Sequence, residues 1–332
     1  MTIKKNAQII DIACFMPPKI VLPPLPDKDN ALEQSEWFRA PKERRFASPE
    51  FSSSDLGVRA LQALLKRTGL KPEKIDLILC TCVFRDEITT PIGPDVQFKV
   101  GAKNATVLDI DNGCSSYLSM LSIARAYIES GIYKNVVILT VTNFISRLSE
   151  FQKSPKSSVL GDGAAATLVS AGKASILAQY ERSHGENYGL LSCRPMKTDD
   201  KTLPFWDEKA GPLAVEFSFR MVEQLRDNAI NLVSDACKKT LKKAHLSAAD
   251  VDLFITHQPN LGLINSWREK VGITAPRVHD TFDKYGNVFH CSLPVTLADA
   301  VEKKLLKSGD IVLLTAFSNG GDFVSAMLLR WI

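Results

Sequence analysis

Cys114 stands where a β-rich apolar run, Val107 to Ile110, gives way to helical spacing in VLDIDNGCSSYLSMLSIARAYIESG. The Asn112-Gly113 pair marks a sharp turn between the two. A thiol at such a junction lies near the first turn of a helix, where free N–H groups and the dipole favour the thiolate. The thiolate is the nucleophilic form, so this placement makes a nucleophile without metal or cofactor. Most free cysteines, by contrast, are small buried residues that do no chemistry.

Two further residues occupy the same kind of position. His257 closes the apolar run VDLFITH, within THQPN, and Asn287 lies in KYGNVFHCSLP at the turn before another helical stretch. Strand ends are where α/β sheets place their active sites. The chemistry of the trio is coherent. A thiolate displaces the leaving group of a thioester. A neutral His257 Nε2–H and the Asn287 amide then donate to the enolate formed when a malonyl group loses carbon dioxide. His257 would also help keep Cys114 ionised. Taken singly, a loop histidine is more often structural, and Asn beside Gly is common because it tolerates positive φ.

The elements that must position these residues repeat. LLKRTGLKPEKIDLILCTCVF (64–84) and TLKKAHLSAADVDLFITHQPN (240–260) both read as a helix end, a polar turn and an Asp inside an apolar strand. Leu70, Ile75, Asp76 and Leu79 match Leu246, Val251, Asp252 and Ile255. SGIYKNVVILTVTNF (130–144) likewise parallels SGDIVLLTAFSNG (308–320). A period of about half the chain points to duplication of a whole α/β unit and not to a short solenoid repeat. The two units would span 1–172 and 173–332, with AGKAS at 171–175 as the joint. The strands are nearly unbroken apolar runs, as expected when both faces are buried, and helical spacing fills the stretches between them.

Composition narrows the field. The 332 residues suffice for a large core, and 45% hydrophobic with 23% charged residues is ordinary for a globular protein. A formal charge of +4 without a basic stripe argues against nucleic-acid binding. Seven cysteines, an odd number with no CxxC pair, argue against a disulfide framework or a zinc site. No run has transmembrane length, and the apolar run near the N-terminus is short for a signal peptide, so a reducing cytoplasm is the expected compartment. Two stretches break the pattern. Residues 183–213 are polar and turn-rich, a surface excursion or a substrate lid. Residues 23–50 are irregular and carry Trp37, Arg39, Lys42, Arg44 and Arg45, a solvated basic face or a phosphate receiver.

Taken together, DIDNGCSSYL, LGDGAAATLV (160–169), HQPN (257–260), YGNVFHCSLP (285–294) and FSNGGDFVSAMLL resemble the ketoacyl synthase III branch of the thiolase-like superfamily nearly end to end. The resemblance implies an α/β fold, the duplicated five-layer α-β-α-β-α sandwich. It also implies a homodimer with a tunnel for a pantetheine arm, and acyl-CoA, malonyl-CoA or acyl carrier protein as substrates, with no bound cofactor or metal. Carried over by position, Cys114 would be acylated, and His257 and Asn287 would stabilise the enolate. The N–H groups of Cys114 and of Asn319 or Gly320 would form the oxyanion hole. The turn at Gly161, Asp162 and Gly163 would be scaffolding. Trp37, Arg39 and Arg44 would meet the adenine and phosphates of coenzyme A, with Thr90, Phe217 and Asn260 as further substrate contacts.

This sequence departs from the family at several points. Gly262 replaces a common arginine, Pro259 interrupts HQAN, and the last glycine run shortens to Ser318-Asn319-Gly320-Gly321. Thr90 stands before Pro91 where a Phe gate is usual, which leaves room for a longer or bulkier acyl group. The expected function is decarboxylative Claisen condensation in a specialised fatty-acid or polyketide-type pathway. The alternative is transfer of the acyl group to a hydroxyl, amine or β-keto acid. A hydroxymethylglutaryl-CoA synthase-like activity lacks its Glu motif, and a degenerate non-catalytic partner subunit is disfavoured because Cys114 is present.

Overall fold

Asp76 and Asp252, the matched acidic residues of the two repeats, make matching hydrogen bonds. Asp76 Oδ2 accepts from the N–H groups of Lys134 and Asn135, both at 2.9 Å, and Asp252 Oδ2 accepts from the Ile311 N–H at 2.8 Å. Each carboxylate thus ties the strand that carries it to the start of the neighbouring strand. That shared role is a physical reason for the recurrence of Asp at this place in the pattern.

The computed structural model describes residues 6–24, 39–173, 176–197, 203–216 and 219–332. Its strands are β1 (Asn6–Phe15), β2 (Lys19–Val21), β3 (Arg44–Phe46), β4 (Leu77–Cys82), β5 (Thr106–Asp109), β6 (Asn135–Thr142) and β7 (Gly163–Gly172). They continue with β8 (Ile176–Ser183), β9 (Ser192–Pro195), β10 (Leu213–Glu216), β11 (Leu253–Thr256), β12 (Ile311–Ser318) and β13 (Phe323–Arg330). The α-helices are α1 (Ser53–Thr68), α2 (Gly93–Val100), α3 (Ser116–Glu129), α4 (Phe219–Lys243), α5 (Leu261–Val271), α6 (Phe282–Tyr285) and α7 (Ser292–Glu302).

Two sheets dominate. The first has the order β1-β7-β6-β4-β5 and the second β8-β13-β12-β11. The directions match strand for strand. β4 runs parallel to β6 as β11 does to β12, and β1–β7 and β6–β7 in the first sheet are antiparallel as β8–β13 and β12–β13 are in the second; the first sheet adds a parallel β4–β5 pair. A parallel bridge from Phe254 to Val278 stands where β5 pairs with β4 in the first sheet. Ala174 and Ser175, within the expected joint, lie outside the described residues.

Side-chain alternation sets the layers. Leu77, Leu79 and Ile138 of the first sheet and Ile255, Val312 and Leu314 of the second close on α3 and α7 between them. Ile78, Val137 and Leu139 point the other way, against α1 and α2. Phe254, Leu313 and Leu328 point outward against α4 and α5. Helices, sheet, helices, sheet, helices is the expected five-layer order, and apolar burial on both sheet faces explains the unbroken apolar strands. Helix ends follow local chemistry: a Ser52/Asp55 capping box starts α1, and Gly69 with φ 67° stops it. Among the described residues no helix is long and apolar enough to cross a membrane.

Candidate active site

The Cys114 turn is held from the end of β12, about two hundred residues away in the chain. Gly113 has φ 56°, and a Cβ there would come within 2.8 Å of the Ser318 Cβ. The Ser318 hydroxyl, at the end of β12, accepts from the Ser115 N–H at 3.0 Å and donates to the Asn112 carbonyl. Glycine is needed at 113 both for its backbone conformation and for this close approach. Cys114 therefore sits where the C-terminal ends of the two sheets meet.

His257 follows β11, its N–H donating to Thr315 O at 2.8 Å. Its Nδ1 is buried with no hydrogen-bond partner among the described residues. An unpaired acceptor is cheaper than an unpaired N–H, which favours the tautomer with the proton on Nε2. Burial, reinforced by the nearby His290, lowers its pKa to about 3, so the imidazole is neutral.

Asn287 is locked by the Gly161–Asp162–Gly163 turn. Its N–H donates to Val159 O at 2.7 Å, and its carbonyl accepts from the Gly161 N–H at 3.0 Å. A Cβ on Gly286, which has φ 69°, would lie 2.4 Å from Val159 O. The buried Asp162 carboxylate in turn accepts from the N–H groups of Ala47, Phe144, Ile145 and Ser146. The 161–163 turn is thus the brace of the Asn287 loop.

Cys114, His257 and Asn287, drawn from three separate segments, line one cavity of about 150 Å³ together with Asn260, Lys156 and Arg226. A second cavity of about 470 Å³ lies beside it, lined by Cys114, Asp111, Phe289, His290, Asn319 and Asp322. Both cavities reach Cys114. Leu191 and Val215 line both and Ser192 the second, so the irregular 183–213 stretch borders the site. Among the described residues no cluster of His, Cys, Asp and Glu has the makings of a metal site.

The resting state of Cys114 differs from the sequence expectation. Burial, then the negative charges of Asp111 and Asp322, push its thiol up to about 12. α3 begins at Ser116, two residues on. A neutral His257 offers no cationic partner. Cys82, Cys237 and Cys291 are also raised to about 12 by burial, so position on the cavities, and not acidity, singles out Cys114.

The remaining expected contacts scatter. Asn260 lines the first cavity, and its side chain caps α5 by accepting from the Leu263 N–H at 2.7 Å. Of the Asn319–Gly321 loop, the Gly321 N–H is taken by Ser318 O, which leaves Asn319 and Gly320 for an oxyanion. A Cβ on Gly320 would lie 2.2 Å from the Leu190 Cβ. Arg44 is a correction: it is 2% exposed, and its guanidinium donates to the carbonyls of Ser157, Leu160 and Leu22, so it has no face for a phosphate. Arg39 pairs with Asp283 at 3.0 Å and lines neither cavity. Thr90 is exposed and lines neither cavity of this chain. Trp37 and Phe217 lie outside the described residues. Sequence reasoning missed Lys156, Arg226, His290 and Asp322. His290 and Asp322 stood inside quoted motifs, YGNVFHCSLP and FSNGGDF, where their polarity against apolar neighbours was the available signal.

Comparison with known proteins places this geometry. Residues 108–185 match the family model described as 3-Oxoacyl-[acyl-carrier-protein (ACP)] synthase III, and residues 241–331 match the model of its C-terminal region. The chain is 32% identical over 331 residues to the beta-ketoacyl-[acyl-carrier-protein] synthase III of Campylobacter jejuni strain 81116, covering 97% of each. It is 29% identical to the protein of the same name from Caldanaerobacter subterraneus, covering 99% of this chain and 98% of that one. The crystal structure of 3-oxoacyl-[acyl-carrier-protein] synthase III from Aquifex aeolicus VF5 superposes with a TM-score of 0.81 at 28% identity, over 98% of this chain and all of that one. The priming β-ketosynthase of the R1128 polyketide pathway shares the fold, with a TM-score of 0.83 at 22% identity over 100% and 98%.

Proposed function

The chain belongs to the 3-oxoacyl-[acyl-carrier-protein] synthase III family, and on that premise we propose that it condenses an acyl thioester with a malonyl thioester through an acyl-Cys114 intermediate. The observation that carries the reading is the convergence of Cys114, His257 and Asn287 on one cavity.

In the first half-reaction the Cys114 sulfur attacks the thioester carbonyl. The oxyanion receives hydrogen bonds from the Cys114 N–H and from Asn319 or Gly320. The C–S bond to the donor breaks, and the donor thiol leaves with the proton that Cys114 gives up. Because the thiol rests protonated, its ionisation belongs to this step and is not stored in the empty site. In the second half-reaction the malonyl thioester loses carbon dioxide. The enolate oxygen accepts from His257 Nε2–H and Asn287 Nδ2–H, and the carbanion attacks the acyl-Cys114 carbonyl. The C–S bond to Cys114 breaks as the β-ketoacyl thioester leaves, and the Cys114 thiolate takes up a proton from solvent.

Lys156 and Arg226, both exposed at the first cavity, supply positive charge for the phosphates of coenzyme A or of a carrier's pantetheine arm. We assign the enzyme to the acyltransferases, with thioesters as substrates and no resident cofactor. We infer a homodimer, supported by the exposed Ile88 and Phe98 flanking Thr90, and a cytoplasmic site, supported by seven free cysteines. The test is stoichiometry. One carbon dioxide should be released per β-ketoacyl thioester formed; an ester or amide product without carbon dioxide would replace condensation with transfer to a heteroatom.

A further inference from the structure

His290 is 5% exposed, yet neither ring nitrogen has a hydrogen-bond partner among the described residues. It lines the second cavity at Cys114. Its Nε2 lies 3.5 Å from Asp111 Oδ1, a long contact that helps hold the Asp111 carboxyl below the usual carboxylate range. On the same cavity Asp322 has one oxygen held by the Asn319 amide at 2.8 Å, while Oδ1 is buried and unpartnered. Buried polar atoms left unpaired are destabilising, so these groups call for a partner that enters the cavity.

The charge balance says what that is. Asp111 and Asp322 bring two carboxylates, and the cavity has neither Lys nor Arg in its described lining. Arg85 lies near enough to act on Asp111 but outside the lining. Even a full positive charge on His290 would leave the wall net negative. The rest of the lining includes Val83, Phe144, Leu191 and Phe323. The wall is therefore apolar with a concentrated acceptor patch. A plain alkyl chain would desolvate that patch and return nothing.

The second cavity is also the one that lacks His257, Asn287, Lys156 and Arg226. It adjoins the nucleophile away from the groups assigned to the malonyl donor. This is the place for the acyl group. We propose that the acyl chain loaded on Cys114 carries a hydrogen-bond donor, a hydroxyl or an ammonium, that meets Asp111, His290 and Asp322. This selectivity rests on the acyl-enzyme reading above and goes beyond it. Loading itself is thioester exchange: the C–S bond to coenzyme A breaks as the bond to Cys114 forms, and the coenzyme A thiol carries away the proton.

The test is the rate of Cys114 acylation by butyryl-CoA, 3-hydroxybutyryl-CoA and 4-aminobutyryl-CoA, followed by intact-protein mass on wild type, Asp322→Asn and His290→Gln. The wild type should load one donor-bearing chain at least about tenfold faster than butyryl, since a site built to hydrogen-bond a substrate group rejects the analogue that lacks it. Each substitution should collapse that ratio, an internal measure that does not depend on how much folded protein each variant yields. Asp322→Asn should hurt the ammonium more than the hydroxyl. Ratios within twofold of one in the wild type, or a preference that survives both substitutions, overturn the selectivity while loading itself still supports the acyl-enzyme. If none of the three thioesters labels Cys114, the acyl-enzyme reading falls and the selectivity with it.

Discussion

The Phe289 N–H donates to Asn287 Oδ1 at 2.9 Å. In the proposed mechanism, that bond leaves the amide nitrogen to serve the enolate. The oxygen also lies 3.4 Å from the Ser292 hydroxyl, whereas Nδ2 has no partner among the described residues and remains as the donor. Phe289 adopts φ 44°, unusual for a bulky residue, and its ring packs edge-on against Phe144 at 4.8 Å. The strained residue and the ordered amide belong to one device. Asn287→Ala should leave acylation of Cys114 within a few-fold of wild type and slow malonyl decarboxylation by about 10²–10³. Asn287→Asp should fail in the same step, since it replaces the donor with an acceptor. Equal loss of both half-reactions in single-turnover assays would remove Asn287 from the enolate.

Ser318 joins the two halves at the nucleophile. Ser318→Ala removes the shorter of the two acceptors of the buried Ser115 N–H and leaves the Asn112 carbonyl at 3.3 Å, a loss of about 1 kcal/mol in unfolding free energy. Because the bond holds the Cys114 turn, loading should slow as well. Urea denaturation and acylation kinetics on one preparation check both. Full stability with slow loading, or the reverse, would separate the bond from the turn.

Asp162 braces the Asn287 loop through four backbone N–H groups. Asp162→Ala leaves those donors without a partner and should cost about 3 kcal/mol or more. Asp162→Asn, which keeps one acceptor oxygen, should cost less. Denaturant midpoints at constant slope measure the difference.

His257 makes a pH prediction. Its pKa is about 3 in the folded chain and about 6.5 when unfolded, so the unfolded state takes up a proton first as pH falls. The stability associated with the neutral, buried imidazole is complete above about pH 6.5 and is lost as pH falls toward 3. Between pH 6.5 and 5 the wild type should lose about 1.5 kcal/mol more than His257→Leu. Parallel stability curves for the two proteins would mean that the imidazole is not held neutral.

The duplicated α/β units are legible in the sequence because their strands and turns repeat locally, and the family resemblance supplies the five-layer order. Asp76 and Asp252 precede equivalent strands, and Cys114, His257 and Asn287 each lie inside a recognisable motif; Cys114 and His257 follow strands as expected, whereas Asn287 lies in the loop between α6 and α7. What failed was whatever depended on burial. Arg44 reads as one of a surface cluster, and only the fold turns it inward onto three carbonyls. Cys114 reads as a thiolate from the helix that follows it. The fold adds an apolar enclosure and two carboxylates, one of them more than two hundred residues away, that reverse the balance. Lys156 and Arg226 reach the site through tertiary contacts that no local spacing announces.

The central claim is an acyl group carried on Cys114 and discharged by a decarboxylating malonyl thioester. Intact-protein mass spectrometry tests it most directly: wild type and Cys114→Ala are incubated with a panel of acyl-CoAs, then with malonyl-CoA. The account predicts an acyl-sized mass gain on the wild type alone, lost on adding malonyl-CoA as a β-ketoacyl product appears. A gain that persists in Cys114→Ala, or an adduct that malonyl-CoA leaves in place, would contradict it.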